Sequence, residues 1–582
     1  MDAAGTFFAS FRYNFGGQLV ARVFSFGVNL YLLRAVNMQI LGVANVRLPL
    51  LYTTILFLVR EPFRKSCIYT DDDSSPSVSS GVNGENENVD TLKKNNQSFD
   101  KSQLRRVLGV AWLSPVFAVV IGFILSFVWI CLLTPPSEEI VDNYAFCVFT
   151  FALCAFIEAA AEPLWILAQR MGLVRFVAIV QGVQVLTNRL VAATLVYLWP
   201  HLGVYAFCYA MLAQSLLYTF LFYYRFYRLS AQSLKESRKN ALKNSSNSSD
   251  SFEFLEIFPS LSTGEFDFKR FSLAASFVRH SFVKQLLTEG SQYVMTLFDV
   301  MDFKEQAIYD AIEKLGSLVA RILLAPLEES AFVYFSANLD RQKSAQEQNQ
   351  GKLQVATRVL CGLLRATMVV GVAICVFGFN YAFAALKLYG GAQLCGGNGP
   401  SILRAYALYV LLLAVNGITE CFAFAAMRKR QISSHQFFLT LCAVLYTVSA
   451  IGLSKWLLGV GFVLANAINM LVRIAYSLYF IRSFYSADYL RRHGTNQSPS
   501  NSAAHPLLSL IPSFAFCASL LFAFSFTWLS SLLFCCEGLV NTVTHICIGG
   551  VTLFSVIYVV YTTDYELVDF VERFLEKKKK EE

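Results

Sequence analysis

Residues 45–66 read NVRLPLLYTTILFLVREPFRKS. Between Arg47 and Arg60 the stretch carries no charge, and Arg60, Arg64 and Lys65 close its far end. Taken as a helix over 41–63, at about 1.5 Å per residue it spans the roughly 30 Å hydrocarbon core of a bilayer. Comparable apolar runs recur at 15–36, 106–133, 143–168, 174–198, 202–226, 273–298, 306–337, 356–388, 402–427, 433–453, 459–481, 507–533 and 542–562. Hydrophobic residues make up 55% of the chain and charged ones 15%, against roughly 25% charged in a soluble domain. A soluble α/β enzyme has no interior large enough to hide that many runs. The expected fold is therefore an all-α polytopic membrane protein of about fourteen transmembrane helices. The runs at 273–298 and 306–337 are the least hydrophobic and also admit a reading as amphipathic surface helices; their length and spacing favour spanning.

Polar stretches divide the series. Residues 66–102 are rich in Ser, Asn, Asp and Gly and are expected to form a disordered loop. Residues 228–268, with KNSSNSSDS, read as a linker, and 486–504 as a loop. The expected domains are a first six-helix bundle at 1–227, the linker 228–268, a second bundle at 269–485, the loop 486–504, two further helices within 505–563 and a tail at 564–582. The start, MDAAGTFFASFRYN, lacks a basic leader followed by an apolar core, so insertion is expected to begin at the first span. If every span is real, the connections opposite the N-terminus hold only Lys304 and Lys455, and the remaining loop-borne Lys and Arg share the side of the termini. Basic loops stay cytosolic, which places both ends in the cytosol. One miscounted span would exchange the sides downstream and erase that asymmetry. A weak internal repeat fits two facing bundles: Glu162 is followed by Ala168 and Arg170, and Glu420 at the same offsets by Ala426 and Arg428.

The sequence contains no phosphate loop of the G-x-x-x-x-G-K-[ST] type. Its six histidines form no metal-spaced pair, and its 14 cysteines are scattered, many inside apolar runs, where they read as small packing residues. No cofactor is expected. The first lumenal connection, 37–46, lacks the acidic residues a membrane glycosyltransferase would place there. Glu138, Glu139 and Asp142 follow Pro135 and Pro136 and read as a solvated turn. No catalytic site is expected.

Ionisable residues inside the spans are the unusual feature, because such groups are costly in lipid and face a bundle interior or a wet cavity. The first two spans carry Arg22, Arg34, Arg47, Arg60 and Glu61, followed by Arg64 and Lys65. The seventh and eighth carry Lys284, Glu289, Asp310, Glu313, Lys314, Arg321, Glu328 and Glu329. Arg189, Arg365, Glu158, Glu162, Glu420 and Arg473 read as more isolated. One reading is a cationic cavity for an anionic head group, since the guanidinium fork matches phosphate. The other is structural pairing, Glu61 with Arg64 and Glu328 or Glu329 with Arg321, with Arg60, Arg64 and Lys65 reaching to the surface. Arg22, Lys284 and Arg321, deeper in their spans, favour the cavity.

NVRLPLLYTTILFLVREPFRKS (45–66), VKQLLTEGSQYVMT (283–296) and LGSLVARILLAPLEES (315–330) resemble signatures of one family, as do LYVLLLAVNGITECFAFAAM (408–427) and GFVLANAINMLVRI (461–474). It is the dolichol-linked oligosaccharide translocation, or "requiring fifty-three", family, within the superfamily of multidrug exporters and lipid-linked oligosaccharide and polysaccharide flippases. The resemblance covers nearly the whole chain outside 66–102, 228–268 and the tail. It implies two six-helix bundles around a central cavity lined by the first, second, seventh and eighth spans, with two extra spans after them. By span and depth it implies substrate-binding roles for Arg22, Arg60, Lys284 and Arg321. Glu61, Arg64, Glu289, Glu328, Glu329, Glu162 and Glu420 would be cavity or gating residues.

The implied activity is movement of Man(5)GlcNAc(2)-PP-dolichol from the cytosolic to the lumenal leaflet of the endoplasmic reticulum for N-glycosylation. Expected partners are that pyrophosphate-linked lipid, membrane lipids and other N-glycosylation proteins; no nucleic acid is expected. The alternative is a non-transporting partner that binds the lipid or organises its biosynthetic enzymes. A cation exporter of the same fold would need an acidic cavity, whereas the first two spans are basic. The terminal KKKKEE places Lys579 and Lys580 where a cytosolic di-lysine retrieval signal stands, a receptor-read address.

Overall fold

The computed structural model describes residues 26–68, 101–242, 254–258, 267–340, 348–492, 509–534, 538–570 and 572. Within them the secondary structure is helical, without strands. The long helices are α1 (26–35), α2 (Met38–Ile68), α3 (Arg105–Leu132), α4 (Tyr144–Arg170), α5 (Arg175–Leu198), α6 (Val204–Leu242), α7 (Phe268–Thr288), α8 (303–338), α9 (Gln350–Gly390), α10 (Gly399–Ala426), α11 (Lys429–Leu457), α12 (Gly459–Arg492), α13 (Phe514–Phe534) and α14 (Leu539–Thr563). Among the described residues 11 helices, α2–α6 and α9–α14, are long and apolar enough to cross a membrane. The chain is a multi-pass membrane protein. The three other expected spans are α1, whose residues before 26 lie outside the described ones, and the polar α7 and α8.

Contacts divide the chain into two compact units, Met1–Leu297 and Phe298–Glu582. The expected boundary at 228–268 differs from this one. Helix α7 packs along α2, with an ion pair between Lys284 Nζ and Glu61 Oε1 at 2.9 Å, and so groups with the first unit. Polarity along the chain marks where a linker runs but not which neighbour a helix chooses.

The first unit is built around α2, whose most apolar stretch is 72% buried, against 17% for α5. Its core joins Phe63, Val107, Val110, Leu164, Tyr218 and Phe222. Part of the expected linker is docked onto this core. Ile257 is fully buried, its carbonyl accepts from Trp112 Nε1 at 2.7 Å, and Phe258 stacks on the Trp112 ring. The expected loop at 66–102 falls mainly on residues outside the described ones.

Helix α4 is broken between Ala159 and Glu162. Pro163 has no N–H to give the Ala159 carbonyl four residues back. Ser114 Oγ donates to that carbonyl at 3.5 Å, and Tyr223 Oη to the Ala160 carbonyl at 3.1 Å. The break sits between two buried carboxylates, Glu158 and Glu162.

In the second unit α10 is central, packed by α8, α9 and α12. Its core includes Phe335, Leu360, Ile418, Phe422, Ile481 and Tyr485. Helix α8 carries a π-helical turn at Ala320–Leu324 just before Pro326, an irregularity that often accompanies function in helices; Arg321 lies in it and is exposed. Helices α13 and α14 pack on α9 through Phe516, Leu520, Ala523 and Val556. Two polar pairs lie in that contact, Asn380 Nδ2 to Thr527 Oγ1 at 2.7 Å and Tyr381 Oη to the His545 carbonyl at 2.7 Å. Beyond α14 the chain turns back to α9, where Arg365 Nε meets Asp564 Oδ2 at 2.7 Å.

Candidate functional site

Each unit holds a buried polar cluster centred on the carboxylates of one helix. In the first unit the break in α4 turns Glu158 and Glu162 toward α2. Arg60 donates Nη2 to Glu158 Oε2 at 2.8 Å and Nε to Glu162 Oε1 at 2.5 Å. Arg64 places Nε and Nη2 on the two oxygens of Glu162 at 2.7 and 2.8 Å, and its guanidinium carbon lies 3.6 Å from the Trp165 ring centroid. Glu158 Oε1 also accepts from Tyr52, from Gln184 Nε2 at 2.8 Å, from Gln214 Nε2 at 3.2 Å and from Ser215 Oγ at 3.0 Å. Two guanidiniums and two carboxylates balance, and both acids are fully buried. Burying such charges is costly unless the carboxylate oxygens find donors; here each of the four accepts at least one hydrogen bond.

This arrangement revises several sequence expectations. Arg64 pairs with Glu162 and not with Glu61. Glu61 instead binds two ammonium groups, Lys65 and Lys284, each at 2.9 Å. Glu158 and Glu162 read as isolated in sequence because their partners lie about a hundred residues earlier. Arg60 is held inside the unit by both acids. Lys284 is half-exposed while paired. Arg321 does not pair with Glu328 or Glu329; its Nη2 donates to Ser317 Oγ at 2.6 Å, one turn earlier on the π-distorted helix. Glu289 is half-buried at the break that ends α7, and Glu329 is exposed on α8. Arg22 lies outside the described residues.

In the second unit Glu420, on α10, accepts from Arg473 Nη2 at 2.5 Å and from Asn416 Nδ2 at 2.8 Å, with His435 Nε2 at 3.4 Å. A cavity of about 420 Å³ opens beside it, lined among others by Glu328, Asn416, Gly417, Phe424 and Arg473. A β-carbon at 417 would run into the Glu328 carboxylate, so only glycine lets that side chain lie across α10 there. Glu162 and Glu420, the acids of the internal repeat, thus do the same job: each is buried and each holds arginine. Their partners come from different positions, α2 in one unit and α12 in the other. Arg365, also read as isolated, binds Asp564 and Glu566. The supporting groups Tyr52, Gln184, Gln214, Asn416 and His435 escaped the sequence reading. They carry no charge pattern, and only the repeated glutamate pointed to their neighbourhood.

The model of the Rft-1 family (Rft protein) matches residues 7–573. The chain is 34% identical over 557 residues to the Mus musculus protein named "Man(5)GlcNAc(2)-PP-dolichol translocation protein RFT1", covering 95% of this chain and 94% of that one. To the Xenopus tropicalis protein of the same name it is 33% identical over 563 residues, 96% of this chain and 95% of the other. Among solved structures, "Lipid II flippase MurJ, inward closed conformation" superposes with a TM-score of 0.53 at 11% identity, over 94% of this chain and 99% of that one. At that identity the likeness concerns the fold alone.

Proposed function

The chain belongs to the Rft-1 family, and on that footing we propose that it moves the glycolipid Man(5)GlcNAc(2)-PP-dolichol from the cytosolic to the lumenal leaflet of the endoplasmic reticulum membrane. The observation that carries this reading is similarity along almost the full length of relatives named for that translocation. The barrier to the movement is the head group, because a charged, sugar-bearing group in hydrocarbon loses its water. A membrane protein that replaces water with hydrogen-bond donors lowers that barrier without making or breaking a covalent bond, so no catalytic residue is assigned.

Arg22, Lys284 and Arg321 are the groups proposed to meet the pyrophosphate. Lys284 is suited to exchange, since Glu61 keeps Lys65 if Lys284 turns to a phosphate. Arg321 is exposed and has a neutral hydroxyl as its partner, which costs little to leave. Arg60 is better suited to holding α2 against α4, given its two carboxylate partners. Glu328 and Glu420 belong to the second unit's cavity. We also propose that both termini face the cytosol and that the protein resides in the endoplasmic reticulum membrane, with Lys579 and Lys580 as the address.

The test is reconstitution of the purified protein in liposomes with labelled Man(5)GlcNAc(2)-PP-dolichol, following its exposure on the outer leaflet. The wild type accelerates exchange. Arg321→Ala abolishes the acceleration while the protein still accumulates, and Arg321→Lys restores it in part, because an ammonium lacks the fork. Binding of the lipid without accelerated exchange would reject transport and support the non-transporting reading, in which the protein holds the lipid for other N-glycosylation proteins. One observation favours that second reading: Arg60 and Arg64 are already neutralised by Glu158 and Glu162.

A further inference from the structure

The two carboxylate clusters differ in their charge balance. In the first unit Glu158 and Glu162 face Arg60 and Arg64, and every carboxylate oxygen is engaged. In the second, Glu328 and Glu420 face a single guanidinium, that of Arg473, which bonds Glu420. The Glu328 carboxylate has no ion pair or hydrogen bond among the described residues, and it lines the cavity. Asn416 is 3% exposed and lines the same cavity; its Nδ2 is used by Glu420, while its Oδ1 is buried with no hydrogen-bond partner. A buried carbonyl oxygen left without a donor costs free energy, and so does an uncompensated carboxylate. Both of these deficits call for a positive charge or a donor, while the buried Nε–H of Arg473 on the same cavity lacks an acceptor.

The neighbouring groups do not supply the missing positive charge. Around Glu328 stand Glu420 and Cys421 on α10 and Arg473 on α12, and around Glu420 stand also His435 and Cys442 on α11. His435 is fully buried against Phe424, Phe438 and Tyr476, and its Nδ1 has no partner. A second proton on that ring would be a buried N–H without an acceptor. The neutral tautomer, with Nε2–H toward Glu420, avoids this. The net charge of the cluster with neutral His435 is −1, from two carboxylates and one guanidinium.

We infer that the second unit carries a binding site for one monovalent cation, an alkali ion or a proton, held by Glu328, Glu420 and the Oδ1 of Asn416. Carboxylate and amide oxygens are the hard ligands such ions take. A divalent ion would leave an excess positive charge in an apolar setting, so it fits the balance worse. The cavity of about 420 Å³ has room for the waters an alkali ion retains. Among the described residues of the first unit the corresponding cluster is already balanced, because a second arginine occupies the role. The inference does not depend on the identity of the cargo, so its failure leaves the translocation reading intact.

The experiment uses the full chain in lipid nanodiscs, without cargo, at constant ionic strength. Choline is replaced stepwise by sodium or potassium while thermal unfolding is followed, and proton uptake is measured in parallel between about pH 8 and pH 5, the range where a carboxylate perturbed by burial would titrate. If an alkali ion is bound, sodium or potassium raises the melting temperature with a saturable dependence that choline does not reproduce. Glu328→Gln and Asn416→Ala then weaken the apparent affinity by about tenfold or more, as loss of a charge-assisted contact should. If a proton is bound, the alkali ions have no such effect, and the wild type takes up about one more proton than Glu328→Gln in that range. Glu138→Gln, the same change on an exposed turn, leaves both readouts unchanged. Absence of both effects in the wild type overturns the inference, whatever the variants do. So does an effect that choline reproduces, or one that both cavity variants retain.

Discussion

Replacing Glu162 with Gln tests whether the first unit is held together by its buried charges. Glu162 is 1% exposed and receives three bonds, one from Arg60 and two from Arg64. In Glu162→Gln the amide presents a single acceptor and no charge. Arg60 keeps Glu158, but Arg64 loses its carboxylate and keeps the face of Trp165 and at most a bond to the one amide oxygen, shared with Arg60. Removing one member of a buried ion network leaves a charge uncompensated, at a cost of about 3–5 kcal/mol. Bidentate geometry and near-complete burial place this case toward the upper part of that range. For a unit of nearly 300 residues, about 2 °C of melting temperature follows each kcal/mol, so the expected loss is roughly 8–10 °C. The assay is thermal unfolding of the purified protein in nanodiscs, with Arg64→Gln and the double variant completing a cycle. The double variant is expected to recover part of the loss, since it removes both the charge and its partner. A melting temperature for Glu162→Gln within about 2 °C of wild type, or strict additivity in the cycle, would refute the reasoning.

Other outcomes are expected on the same footing. The four sequons at Asn96, Asn244, Asn247 and Asn496 all lie in connections assigned to the cytosol, so glycosidase treatment should leave the mobility of the wild-type chain unchanged; a shift would reject the topology. Substituting Lys579→Ser together with Lys580→Ser should release the protein from the endoplasmic reticulum, as seen by fluorescence of a tagged chain, and an unchanged distribution would reject the di-lysine reading. Arg365→Gln strands the buried Asp564 carboxylate, 3% exposed, and should raise hydrogen exchange across 564–570 without altering that of α2. Equal exchange in the two proteins would show that Arg365 does not hold this segment against α9.

The class of fold was legible in the sequence for a simple reason. A run of some twenty apolar residues has to be buried in lipid or in protein, and one chain cannot bury so many runs in itself. The same economy made the polar segments and the charged seventh and eighth runs stand out, and α7 and α8 do fail the apolarity that the 11 candidate spans among the described residues meet. Composition could not decide which helix packs on which. Helix α7 follows a polar linker and reads as the start of a second bundle, yet contacts with α2, among them Lys284 with Glu61, group it with the first unit.

The charged residues show the same boundary between what a sequence determines and what a fold decides. Sequence determined that buried ionisable groups must be paired or wet, and it supplied the repeated glutamate, Glu162 and Glu420. Tertiary structure chose the partners. Nearby residues in sequence suggested Glu61 with Arg64, three apart, and Arg321 with Glu328, seven apart, because a helix brings residues one or two turns apart onto one face. That rule holds for Glu61 with Lys65 and for Asp310 with Lys314. It misses Arg64, whose acid lies on α4 and is turned toward it by the break at Pro163. Local spacing fixes which groups share a face; only the packing of distant helices fixes which charge meets that face and whether, as at Glu328, one is left to be matched from outside the chain.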